Sequence, residues 1–112
     1  MQQRDRAYLL DILEAAKLVL VYVGKKTQEE FLEDLQCQDA VIRRLEIIGE
    51  VARRISEHSR VTLADLPWSD MVGMRNFLIH DYGDVDLNVI WDTVQLDMPS
   101  LAIALETILS DT

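Results

Sequence analysis

Between Val41 and Ile55 the apolar residues Val41, Leu45, Ile48, Ala52 and Ile55 follow one another at spacings of four and three. Such spacing puts them on one face of an α-helix, whereas strand side chains alternate with a period of two. A helix is predicted over about Leu35 to Ser59, the longest in the chain. The same period in Tyr8, Leu9, Ile12, Ala15, Ala16, Val19, Tyr22 and Val23 predicts a first helix from Asp5 to about Val23. Met71, Met74 and Leu78 mark a fourth helix from Pro67 to about His80, with that stripe toward the core. Leu87, Ile90, Trp91 and Val94, then Met98, Leu101, Leu105 and Ile108, mark a last one. With only four Gly and two Pro in 112 residues, a turn-rich β architecture is disfavoured. The expected fold is all-α, an antiparallel up-and-down four-helix bundle with an additional short helix, in a single domain spanning 1–112.

The boundaries have local causes. Gly24, Lys25 and Lys26 supply a flexible stop and cations at the carbonyl end of the first helix. Thr27 and Glu30 form a Thr-x-x-Glu capping box, which predicts a short helix from about Gln28 to Asp34. Residues 57–66 read as a polar connection, Pro67 suits a first helical turn, and Asp86 is a plausible N-cap. Pro99 is expected to kink or split the last helix while leaving the apolar pattern on either side. Gly49, mid-helix, costs about 1 kcal/mol relative to Ala, so a neighbouring helix is expected to approach closely there.

Charge restricts the partners. A net charge of −9 repels nucleic acid and anionic membrane unless basic residues are concentrated locally. Six arginines, Arg43, Arg44, Arg53, Arg54, Arg60 and Arg75, do fall in the middle third. Glu46 and Glu50 stand one turn apart without His or Asp companions, which fits a solvated or salt-bridged face better than a metal site. No metal or other cofactor is expected. The lone Cys37 fits a reducing compartment, and the longest apolar run, Leu18 to Val23, is far too short to span a bilayer. No secretory leader opens the sequence, so a soluble, cytoplasmic protein is expected. The apolar faces exceed what one small bundle needs, which points to a homodimer.

The reactive side chains gather in Met74 to Tyr82, where Arg75, Asn76, His80 and Tyr82 bring a fixed cation, an amide, an imidazole that can give or take a proton, and a phenol. Together these could handle a phosphodiester. On an ideal helix Arg75 and His80 point about 140° apart. Three routes could join them: a distorted last turn, a long reach by Arg75, or two such helices meeting across a dimer. Eight arginines make an Arg five positions before a His a weak motif alone, and His80 and Arg75 could equally be a helix-end cation and a surface ion-pair partner.

A longer pattern is more specific. The run Gln38-Asp39-Ala40-Val41-Ile42-Arg43-Arg44-Leu45-Glu46-Ile47-Ile48-Gly49-Glu50, the pair Pro67-Trp68, and Gly73-Met74-Arg75-Asn76-Phe77-Leu78-Ile79-His80-Asp81-Tyr82 resemble the HEPN superfamily, specifically its HepT-like toxins. The resemblance covers nearly the whole chain and rests on Arg-x4-His-x-Tyr together with the long preceding helix. It implies a dimeric helical bundle acting as a metal-independent ribonuclease, the toxin of a toxin-antitoxin pair. By the same resemblance Arg75 and His80 are the catalytic pair, Asn76 and Asp81 its supporting polar residues, and Tyr82 the acceptor of AMP from a minimal, MntA-like nucleotidyltransferase antitoxin. The competing expectation is a non-catalytic nucleotide- or protein-binding HEPN module, which the acidic charge suits equally well.

Overall fold

A computed structural model describes residues 1–80 and 83–110, and every regular element in them is helical. In chain order these are α1 (Gln3–Val23), α2 (Gln28–Glu33), α3 (Leu35–Ala52), α4 (Glu57–Thr62), α5 (Trp68–His80), α6 (Leu87–Asp92), a π-helical turn (Thr93–Asp97) and α7 (Met98–Ser110). The bundle is built in the order α5, α3, α1, α7, each packed on the next. Leu9, Ile12, Ala16 and Val19 of α1 meet Val41, Leu45, Ile48 and Ala52 of α3 in the core. The predicted stripe of α5 is also present: Met71 and Leu78 are buried and Met74 half-buried against them.

Local chemistry explains most of the boundaries. Gly24 takes φ 54°, where an L side chain is strained, and its N–H closes α1 on Leu20 O at 2.9 Å. Lys26 Nζ reaches Tyr22 O, placing a cation at the carbonyl end of α1 as expected. Both bonds of the capping box are made: Glu30 N–H donates to Thr27 Oγ1 at 3.2 Å and Thr27 N–H to Glu30 Oε1 at 3.0 Å. The buried amide of Gln38 then donates to Leu32 O and to Phe31 O, which Asp34 N–H also engages, and so closes the carbonyl end of α2. Asp86 caps α6 by accepting from Asn88 N–H at 2.9 Å.

The chain departs from the expected boundaries after Ala52. The predicted long helix stops there rather than at Ser59, closing with short backbone bonds such as Arg54 N–H to Val51 O at 2.9 Å. Residues 57–66, read as a connection, contain α4, capped by Ser56. The apolar period hid the break because Ile55, beyond the turn, is still buried. What anchors the turn is Asp5, a carboxylate buried to 1% exposure in the first turn of α1. It accepts from Ser56 N–H (3.1 Å), Ser56 Oγ (2.6 Å) and Ser59 Oγ (2.7 Å). These bonds, Ser56 foremost, hold the Asp5 carboxyl below its ordinary value, against the opposing effect of burial.

A carboxyl whose pKa is lowered by folding stabilises the fold above the unfolded value and stops doing so as pH falls through the folded one. Asp5→Ala is therefore expected to destabilise the protein by about 3 kcal/mol near neutral pH, because three donors lose their acceptor. Urea unfolding of both chains checks this. The difference between them should hold from neutral pH down to about pH 4 and shrink below it.

Pro99 splits the last helix, one of the two outcomes expected of it. Without an N–H it cannot bond Gln95 O, and the backbone before it widens so that Met98 N–H bonds Thr93 O, five residues back. The apolar face continues through Val94, Met98 and Leu101. The molecule measures 42 × 29 × 19 Å, so its thinnest dimension is about two helix diameters. No helix among the described residues is long and apolar enough to cross a membrane.

Candidate active site

α5 reaches the site by way of α3. At Gly49 the two helices are so close that a methyl group would overlap Arg75 Cβ and stand 2.7 Å from Met71 O. The close approach expected at this glycine is present, and the residue it admits is Arg75. The stem of Arg75 is thus wedged against the α3 backbone while its head emerges where α3 ends.

That head has donors to spare. Arg75 Nη1 donates to Asn76 Oδ1 at 3.1 Å, whereas Arg75 Nε is buried without a hydrogen-bond partner. Glu50, Arg53 and Arg54 line the same cleft. Glu50 does not pair with Arg75. Its carboxylate accepts from Arg43 Nη1 at 3.3 Å, the salt-bridged arrangement expected for that face. A guanidinium that makes no ion pair among the described residues and is oriented by a neighbouring amide can take an anionic oxygen at its outer nitrogens without first breaking one.

His80 ends α5 and is exposed. The helix is regular through it, so no distorted turn within α5 brings it to Arg75, and the angular separation of about 140° stands. His80 instead shares its side of α5 with Gly73, two turns earlier and only about 20° away. A Cβ placed on Gly73 would meet nothing within 4 Å. Asn76 is exposed on the adjoining side. Asp81 and Tyr82 lie outside the described residues. The structure therefore joins Arg75 to Asn76, which stands one helical turn before His80 and about 40° from it, and keeps Arg75 and His80 on different sides of α5 within one chain.

A second cleft, of about 400 Å³, opens between α5 and α7 over Leu45, Met71, Met74 and Leu101. It contains none of the polar residues singled out in the sequence. Among the described residues no three His, Cys, Asp or Glu side chains are grouped as metal ligands. Cys37 is buried with its thiol against Tyr22 O, and burial raises its pKa, which suits packing rather than reactivity.

With this geometry in hand, comparison with known proteins is decisive. A profile of the family described as "Ribonuclease HepT-like" matches residues 12–108. The chain belongs to the HepT-like ribonuclease family. It is 43% identical over 101 residues to "Probable ribonuclease HepT" of Thermococcus cleftensis, covering 90% of this chain and 92% of that one. It is 39% identical over 109 residues to "Putative RNase MJ1380" of Methanocaldococcus jannaschii, covering 96% of this chain and 100% of that one. It is 34% identical over 104 residues to "Putative RNase TTE0752" of Caldanaerobacter subterraneus, covering 93% of each. No solved structure matches the chain significantly. The resemblance read from Arg75 to Tyr82 and the α3 run thus leads to the correct family, and the all-helical HEPN-like fold agrees with it.

Two residues lining the cleft at Arg75 escaped the sequence reading. Arg53 and Arg54 figured there only as part of a general concentration of arginine, and their place beside Arg75 depends on α3 ending at Ala52. The signal that could have found them is Gly49, since a close approach there forces whatever follows α3 to lie beside α5.

Proposed function

We propose that this HepT-like chain is a metal-independent endoribonuclease and the toxin of a toxin-antitoxin pair, acting through Arg75 and His80. The observation that carries the reading is Arg75 itself, fixed at its stem by Gly49, held by Asn76 and left with a buried, unpartnered Nε–H. In the reaction the RNA 2′-hydroxyl attacks the adjacent phosphorus. The 5′-oxygen of the next nucleotide leaves, and a 2′,3′-cyclic phosphate forms. His80 moves the proton, and Arg75 stabilises the charge developing on the phosphoryl oxygens. No metal is required.

The working site is a pair of α5 helices in a homodimer, with Arg75 of one chain beside His80 of the other. Two observations support this. The intrachain geometry keeps Arg75 and His80 on different sides of α5. The side bearing His80 carries the open space at Gly73, which lets another backbone approach. The flat, two-helix-thick shape leaves such a surface available. Growth arrest on expression, relieved by His80→Ala, tests the toxin reading. Harmless expression of the unsubstituted chain would contradict it.

Tyr82 follows His80 by two residues, and we assign it as the acceptor of AMP from a minimal nucleotidyltransferase antitoxin. A bulky anion there would block the site and repel RNA phosphate. Coexpression with a cognate nucleotidyltransferase is expected to add the mass of one or more AMP groups to Tyr82, with loss of RNA cleavage. Unmodified Tyr82 in a chain that is nonetheless neutralised would overturn this route of control. A non-catalytic binding module is the alternative, which the −9 charge suits equally well, and it requires harmless expression, no RNA degradation and tight binding of a nucleotide or protein.

A further inference from the structure

The fold sorts five of the six arginines of the middle third. Arg43 is engaged by Glu50, and Arg60 lies on α4, whereas Arg53 and Arg54 join Arg75 around one cleft. The lining of that cleft is three guanidiniums and the Glu50 carboxylate, and the carboxylate is already paired with Arg43. Among the described residues neither Arg53 nor Arg54 makes an ion pair, and both are exposed. Like charges gathered on an otherwise acidic protein repel one another until an anion enters between them. Beside them lies the buried donor Arg75 Nε, which has no partner. A cleft lined by three guanidiniums that make no ion pair among the described residues fits an anion that repeats along a chain.

We propose that Arg53 and Arg54 bind the RNA phosphate next to the one held at Arg75. This rests on the ribonuclease reading and extends it, making the cleft a two-phosphate track that selects a polynucleotide over a single phosphodiester. Arg75 acts on the reacting phosphate, while Arg53 and Arg54 hold the strand in register. A purely structural role would instead have the two arginines offset the dipole at the carbonyl end of α3.

The test compares the unsubstituted chain with Arg53→Ala/Arg54→Ala, first in binding a 2′-O-methyl oligoribonucleotide, which cannot be cut. The double variant is expected to bind roughly tenfold more weakly, with the slope of log affinity against log salt shallower by about 0.7, one phosphate contact on a single strand. On cleavable RNA its KM for a longer oligonucleotide should rise with kcat nearly unchanged. Cleavage of a dinucleoside monophosphate, which has one phosphodiester, should fall far less than cleavage of the longer oligonucleotide. Its thermal midpoint should match that of the unsubstituted chain. An unchanged salt slope, equal losses on both substrates, or a binding loss that tracks a lowered midpoint would overturn the proposal. If the unsubstituted chain cuts no RNA yet binds the oligonucleotide through Arg53 and Arg54, the cleft assignment stands and the ribonuclease reading falls.

Discussion

Gly49→Ala is expected to cost the protein about 2 kcal/mol of stability and to lower RNA cleavage about a hundredfold in the fraction that remains folded. Alanine is the better helix former, by about 1 kcal/mol, so propensity alone predicts the opposite sign. Packing wins because the added methyl meets the Cβ of Arg75 and the backbone oxygen of Met71. Neither is the loose end of a flexible side chain, so α5 must move as a body, and overpacking of this kind costs about 1–3 kcal/mol, here at the upper end. A shift of about 1 Å in the helix carrying Arg75 is enough to misplace a group that, on the proposed mechanism, meets a phosphoryl oxygen. Urea unfolding and initial cleavage rates check the two parts separately. In an Arg75→Gly background the stability cost of Gly49→Ala should shrink without vanishing, because Met71 O remains in the way.

His80→Ala and Arg75→Ala are expected to lower kcat by about 10²- to 10⁴-fold through different interactions. The two should also differ in stability. His80 is exposed at the end of α5, so its removal should leave the thermal midpoint within about 1 °C. Arg75 is half-buried against α3, so its truncation removes packing as well as charge and should lower the midpoint by several degrees, on the order of 1 kcal/mol. If the site is shared between two chains, mixing the inactive variants should restore some activity. A hybrid dimer carries one intact Arg75 and one intact His80 that can face each other. No recovery on mixing would favour a site contained in one chain.

Much of this was legible in the residues because the determinants are local. The capping box of Thr27 and Glu30, the stop at Gly24 and the cap at Asp86 act within four residues, and each is realised. Gly49 announced a close approach because a glycine in a helix otherwise weakens it. What escaped depends on partners far apart in sequence. The end of α3 is fixed by Asp5 reaching Ser56 and Ser59 across 51 and 54 residues, and no local pattern marks a buried carboxylate as the anchor of a turn. Because that break was hidden, so was the meeting of Arg53 and Arg54 with Arg75. Pro99 shows a middle case: its effect on the helix was predictable, but the π-helical turn that absorbs it depends on how α6 and α7 share one apolar face.

The most direct measurement is cleavage of a single-stranded RNA and of the all-deoxy strand of the same sequence, side by side in excess chelator, with the ends of the products identified by mass spectrometry. Attack by the 2′-hydroxyl under the control of Arg75 and His80 predicts that the RNA is cut to 2′,3′-cyclic phosphate ends while the DNA stays intact. Cutting of the DNA at a comparable rate, or RNA products ending in 3′-hydroxyl and 5′-phosphate, would contradict it.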